Sequence, residues 1–276
     1  MRERRPRRRR TDRPQRFKRG VYLLPSMFTV ANLFCGYGCV VYATKGDFDT
    51  AAVLIGIAMI LDTLDGFVAR LTHTSSAFGV QLDSLADVVS FGLAPAILAF
   101  TWGLWPLNRL GWAAGFIYLT AAAMRLARFN IQTAAPMDKR YFVGMPSPAA
   151  AGVIASTIYL FPEGPQDRQM ALSALVMVVV PALMMVSTIR FRSVKAIDLG
   201  WRRSYFALFF VAVVLALIAS HPRIALVTLA YSYTLGALVV WIYTRIIRRR
   251  PLDGVAGELP AATSDPQVAS PGDGRI

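Results

Sequence analysis

Charge is what this sequence has least of. Only 17% of its 276 residues are Asp, Glu, Lys or Arg, where a soluble domain carries about 25%. Long stretches between residues 21 and 247 are almost free of charge, which excludes an ordinary soluble globule. Cysteine is scarcer still. Cys35 and Cys39 stand four apart in the first apolar segment with no second pair to complete a zinc site, and they read as small packed helix residues. The basic run over residues 1–20 lacks an apolar core of its own and a small-residue cleavage site, so that run does not read as a secretory signal peptide.

Apolar length is what the chain has instead. Hydrophobic residues make up 55% of it, and a helix needs about 20 of them in succession to cross a bilayer. The pattern predicts an all-α, polytopic bundle of eight spans, over 21–44, 48–70, 80–105, 111–129, 145–161, 170–189, 204–220 and 224–246. Three regions follow: a disordered basic N-terminus (1–20), a transmembrane domain (21–247), and a disordered tail (248–276) rich in Gly, Pro, Ala, Ser and Asp. The net charge of +14 first suggests nucleic acid, but eleven of the thirty basic residues lie in residues 1–20. That run is read as an anchor on anionic lipid headgroups, with no nucleic-acid partner.

Orientation follows from where the remaining cations fall. With the N-terminus in the cytoplasm, the inside segments hold 26 Lys and Arg, and the outside connections hold only Lys45, Arg109, Arg168 and Arg223. The positive-inside rule then puts both termini in the cytoplasm. Trp102, Trp105 and Trp112 fall at the outer ends of the third and fourth spans and read as interfacial anchors.

Against this background four carboxylates stand out. Asp62, Asp65, Asp83 and Asp87 lie in or against apolar helices, where a charge costs at least about 2.5 kcal/mol on insertion scales. At about 100° per residue, Asp62, Asp65, Gly66, Ala69 and Arg70 share one helix face, and Gly79, Asp83 and Asp87 share a face of the next. The connecting loop is short, so the helices are antiparallel neighbours with both polar faces at their cytoplasmic ends. Four unpaired carboxylates this close would repel one another. Hard divalent cations relieve that, and oxygen-only ligands suit Mg²⁺ or Mn²⁺. A pair of such ions can clamp a diphosphate during in-line displacement, and Arg70 can pair with a phosphate oxygen. The competing readings are a buried carboxylate–arginine network and a carboxylate-lined ion transporter.

The spacing of these residues is D-x2-D-G-x2-A-R-x8-G-x3-D-x3-D, filled by Asp62, Asp65, Gly66, Ala69, Arg70, Gly79, Asp83 and Asp87. This resembles the signature of the CDP-alcohol phosphatidyltransferases, which transfer a phosphatidyl group from a CDP-linked lipid to an alcohol and release CMP. The resemblance implies two divalent metal ions held by Asp62, Asp65, Asp83 and Asp87, with Asp87 also the general base. It implies contact with the CDP moiety by Gly66, Arg70, Ser76, Ser26 and Thr29, and it implies a homodimer. Ser26 stands where many relatives carry Asn, a departure that bears on how the first helix meets the nucleotide. His73, in the loop beside the motif, reads as solvated.

Outside the signature, three stretches resemble the phosphatidylserine synthase branch: Leu24 to Gly36, Met124 to Asn130, and Phe142 to Ala149. A weaker one runs from Met185 to Lys195. The branch implies CDP-diacylglycerol and L-serine as substrates and a bacterial inner membrane, with the site facing the cytoplasm. Serine brings a carboxylate, and Arg pairs with carboxylates through two parallel hydrogen bonds. Arg125 or Arg128, at the cytoplasmic end of the fourth span, is therefore a candidate for holding the acceptor, alongside ordinary positive-inside anchoring. An acceptor such as glycerol 3-phosphate or an inositol phosphate would also suit an Arg cluster, so charge leaves the alcohol open.

Overall fold

The computed structural model describes residues 23–72, 77–134, 141–165, 167–187, 190–192, 209, 212–213 and 215–247. Helix α1 (Leu23–Thr44) turns into α2 (Phe48–Thr72) through Lys45–Asp47. Gly46 takes a φ of 80° there, and the Asp47 carboxylate accepts from the Thr50 backbone N–H at 3.1 Å, capping the start of α2. The two helices pack along their length on small residues: Cys35, Cys39 and Ala43 from α1, Ala51, Ala52, Ile55 and Ala58 from α2. Small side chains let backbones approach in a setting where lipid supplies no hydrophobic drive between helices. The packed-residue expectation for the two cysteines holds, since both are buried and free.

The third span is not the single regular helix that hydropathy predicts. It runs as α3 (Ala77–Asp87), a π-helical turn (Val88–Leu93), α4 (Ala94–Ala99), a second π-helical turn (Phe100–Leu104) and a 3₁₀ turn (Trp105–Leu107). Pro95 supplies one physical reason. It has no N–H for the carbonyl of Phe91 four residues earlier, and the Tyr118 hydroxyl donates to that carbonyl instead, at 3.2 Å. The first π turn follows directly on Asp87 and packs against α1. There the Ser90 hydroxyl donates to the Asn32 carbonyl at 3.0 Å.

Gly36 makes that approach possible. A Cβ at this position would stand 2.5 Å from Ser90 Oγ and 2.8 Å from its Cα. Gly36→Ala is therefore expected to lower Tm, since overpacking costs roughly 1–3 kcal/mol. Gly56→Ala, with nothing within 4 Å of the added carbon, should hold or raise it. Thermal unfolding of both variants in detergent checks the contrast.

The chain continues through α5 (Arg109–Ala134), a short strand β1 (Tyr141–Val143), α6 (Ser147–Leu160), α7 (Arg168–Val186), β2 (Arg190–Arg192) and α8 (Pro222–Ile247). Helix α2 packs on α6, α5 on α7, and α6 on α8. The strands pair antiparallel, Tyr141 opposite Arg192 and Val143 opposite Arg190, a three-residue ladder in an otherwise helical fold. Gly144 ends β1 at a φ of 88°, where a side chain would run into the Met185 carbonyl. At the far end of the bundle, Arg223 of α8 pairs with Asp49 at 3.1 Å and covers the Tyr159 ring at 5.0 Å. Deeper in, the Thr157 and Tyr231 hydroxyls meet at 3.1 Å.

Five described helices are long and apolar enough to cross a membrane, over Ser26–Thr44, Phe48–Leu71, Phe78–Leu107, Arg109–Ile131 and Arg168–Val186. Helix α6 is apolar and shorter. The described residues thus carry five such spans of the eight expected, and the chain is an integral membrane protein. Much of the expected seventh span lies outside the described residues, as do the basic run 1–20 and the tail 248–276. Trp105 and Trp112 are 64% and 67% exposed, as interfacial anchors should be. Trp102 is not an anchor. It is 9% exposed, and its indole N–H donates to the Phe161 carbonyl at 2.8 Å, pinning the end of α6 to the third span.

Candidate active site

Helices α2 and α3 bring three of the four aspartates together. One carboxylate oxygen each from Asp62, Asp83 and Asp87 lies within 4.8 Å of the others. The group sits about 10–15 Å along the helices from their connecting loop, at 1.5 Å per residue. The i, i+4 spacing of Asp83 and Asp87 puts both on one face of α3, from which their carboxylates reach that of Asp62, while α3 itself packs on α1. All three side chains are half-buried.

Asp65 is held differently. It is 6% exposed, and the Thr29 hydroxyl of α1 donates to its Oδ2 at 2.5 Å. Its Oδ1 is buried without a hydrogen-bond partner, as is Oδ1 of Asp87. Buried carboxylate oxygens are normally paired. Two unpaired ones beside a three-carboxylate cluster, all of hard oxygen donors, are what a divalent cation site of the Mg²⁺ or Mn²⁺ kind offers. The residues present fit such an ion, with Asp62, Asp83 and Asp87 as the assembled ligands and Asp65 at their edge.

The basic side of the site comes from α5. Arg125 lies within electrostatic reach of Asp62 and Asp87. Its Nη1 donates to Ser147 Oγ at 2.9 Å, and its guanidinium covers the Phe129 ring at 5.7 Å. Tyr233 of α8 lies within the same electrostatic reach of Arg125. Arg128, three residues on, turns to α7 and donates to the Val186 carbonyl at 3.2 Å. That carbonyl belongs to the last turn of α7, where backbone acceptors have no partner within the helix. Asn130 donates to Ser84 Oγ at 2.9 Å, tying α5 to the helix that carries Asp83 and Asp87.

The other candidates fall as follows. Among the described residues, a carbon added at Gly66 would meet only the Arg70 guanidinium, at 4.0 Å, so the face beside Asp65 is open and bordered by a cation. Arg70 itself is exposed. Ser26 lies one turn before Thr29 on α1, and Thr29 is engaged with Asp65. Ser76 and His73 lie outside the described residues.

Three site residues escaped the candidate set. Ser147 and Tyr233 are brought in only by the packing of α6 and α8. Asn32 had a readable signal: Ser26, Thr29 and Asn32 recur every three residues in an otherwise apolar helix, so they share a polar stripe.

A sequence model described as CDP-alcohol phosphatidyltransferase matches residues 22–189, the segment containing every one of these aspartates. The chain belongs to this family. Among curated phosphatidyltransferases, it is 36% identical over 231 residues to a CDP-diacylglycerol–serine O-phosphatidyltransferase of Helicobacter pylori, covering 82% of this chain and 94% of that protein. It is 41% identical over 147 residues to a protein of the same name from Mycobacterium leprae, covering 51% of this chain and 48% of that one. An archaetidylserine synthase of Methanothermobacter thermautotrophicus is 32% identical over 170 residues, covering 61% of this chain and 69% of its own. The bacterial name specifies phosphatidyl transfer to serine, and the archaeal one the synthesis of archaetidylserine.

Proposed function

We propose that the chain transfers the phosphatidyl group of CDP-diacylglycerol to L-serine, giving phosphatidylserine and CMP. The observation that carries this reading is the placement of one half-buried guanidinium, Arg125, within electrostatic reach of a three-carboxylate cluster. The relatives' names favour serine. In this reading Asp62, Asp65, Asp83 and Asp87 would hold divalent metal, with Asp87 also the base, and Gly66 and Arg70 line the approach of the nucleotide. The bound Mg²⁺ or Mn²⁺ supplies positive charge to the diphosphate. Asp87 accepts the proton of the serine hydroxyl as its oxygen bonds to the lipid-side phosphorus, and the bond from that phosphorus to the CMP oxygen breaks. An alcohol is a weak nucleophile at neutral pH and needs a base within hydrogen-bond reach. Arg125 receives the serine carboxylate, already oriented by Ser147 and Phe129.

An ion transporter would spread its carboxylates along a path near the midplane. Here three of them, Asp62, Asp83 and Asp87, converge on one point. The same reading places that point at the cytoplasmic face of a bacterial inner membrane, with eight spans and both termini inside.

Purified protein incubated with CDP-diacylglycerol and Mn²⁺ or Mg²⁺ is expected to release CMP when L-serine is added. It should release little with glycerol 3-phosphate or inositol phosphate. Release that depends on one of the phosphorylated alcohols would replace serine as the acceptor, and release with none would reject the reaction.

A further inference from the structure

The buried amide of Asn32 has no role in the site so far. Asn32 is 1% exposed in a membrane-spanning helix, and neither its Nδ2 nor its Oδ1 has a hydrogen-bond partner among the described residues. A buried unsatisfied polar atom costs about 1–3 kcal/mol, so two on one residue call for a cause. The surroundings supply one. The Asn32 side chain lies against Asp87 without meeting hydrogen-bond geometry, and Asp87 Oδ1 is itself buried and unpaired. An ionised carboxylate is acceptor-only, and a side-chain amide offers two N–H donors.

The backbone holds the two residues together. The Asn32 carbonyl accepts from Ser90 Oγ at 3.0 Å, three residues beyond Asp87 in the π turn. Gly36, one turn further along α1, lets the backbones close on Ser90. Helix α1 is thus clamped to the stretch that carries Asp87, with the amide and the carboxylate facing across the clamp.

We infer that Asn32 is the positioning residue of Asp87: its amide N–H binds Asp87 Oδ1 in the working site, fixing the carboxylate so that its other oxygen faces metal and acceptor. This rests on the proposed role of Asp87 as base and ligand. Asn32 acts through Asp87 and touches neither substrate.

The test compares Asn32→Leu, close in size but apolar, and Asn32→Asp, close in shape but unable to donate when ionised, with the full-length protein in detergent. In both variants kcat should fall roughly 10- to 100-fold, the range seen when a partner behind a metal ligand is removed. Mn²⁺ affinity, read by electron paramagnetic resonance without substrate, should weaken. KM for CDP-diacylglycerol and for serine should stay within about twofold, because Asn32 touches neither substrate. Asn32→Leu should keep or raise Tm, since it removes two unsatisfied polar atoms from the interior.

A rise in either KM with kcat retained would make Asn32 a substrate contact and overturn the inference, as would unchanged kcat and Mn²⁺ affinity in both variants. If Asn32→Leu does not fold, Asn32→Asp carries the decision alone. Should the wild-type protein release no CMP with serine, the reaction assignment fails separately. The contact is still read from Tm in a double-mutant cycle of Asn32→Leu with Asp87→Ala. Shifts that simply add would exclude it.

Discussion

Asp87→Asn is expected to abolish CMP release while the protein stays folded. The loss should be at least roughly 10³-fold in kcat, inside the 10²–10⁴ range that a positioned general base supplies. The substitution is close to isosteric. Oδ1 of Asp87 makes no hydrogen bond that the amide would break, and removing one negative charge from a group of oxygens within 4.8 Å relieves repulsion among the rest. Thermal unfolding should therefore show a Tm at or above that of the wild type, alongside lost turnover. Turnover retained at wild-type level would remove Asp87 as the base and leave it only a ligand. A large drop in Tm would mean that the carboxylate holds the helices together, which is the structural reading of the cluster. Asp62 and Asp83 belong to the same cluster, so Asp87 can be separated from them only by an effect on kcat larger than theirs.

That result would test the part of the molecule most legible in the sequence. The eight signature positions lie on two consecutive helices joined by a short loop, so periodicity alone puts the aspartates of each helix on one face. Asp62, Asp83 and Asp87 converge as the spacing requires. What periodicity could not tell is that Asp65, one turn from Asp62, is drawn aside by Thr29. That hydrogen bond spans 36 residues and depends on how α1 lies over α2.

The third span shows a similar limit. Its length and apolarity were readable, but its two π turns were not, because hydropathy is blind to backbone pairing. Pro95 was a visible hint, yet the group that serves the freed Phe91 carbonyl, Tyr118, comes from a different helix. Trp102 illustrates the reverse error. An aromatic residue near a span end reads as an interfacial anchor, and only tertiary packing shows its N–H spent on the Phe161 carbonyl. The two short strands were unreadable for a simpler reason. Three paired residues from segments about 50 apart carry no period of their own.

The pair Arg125 and Arg128 is where sequence left a choice and structure distinguishes the two. Three residues apart, they share a helix face, and composition gives each the same charge and the same claim on a carboxylate. Their partners differ. Arg125 is half-buried within electrostatic reach of Asp62, Asp87 and Tyr233 and oriented by Ser147 Oγ, while Arg128 serves the last turn of α7 through the Val186 carbonyl.

Arg125→Ala is accordingly expected to raise the serine KM by roughly 10- to 100-fold. That is the equivalent of a charged hydrogen bond worth about 1.5–3 kcal/mol. KM for CDP-diacylglycerol should move much less. Arg125→Lys should recover only part of the loss, because an ammonium cannot reproduce the two-pronged contact with a carboxylate. Arg128→Ala should leave the serine KM unchanged and lower Tm, since a carbonyl at the end of α7 loses its donor. Steady-state kinetics with each substrate varied in turn, paired with thermal unfolding, separates these outcomes. If Arg125 only offsets the negative charge of the aspartates, its removal should depress kcat and leave the serine KM in place. The acceptor carboxylate would then have to be held elsewhere, and Arg128 would be the next to examine only if its own variant raised the serine KM.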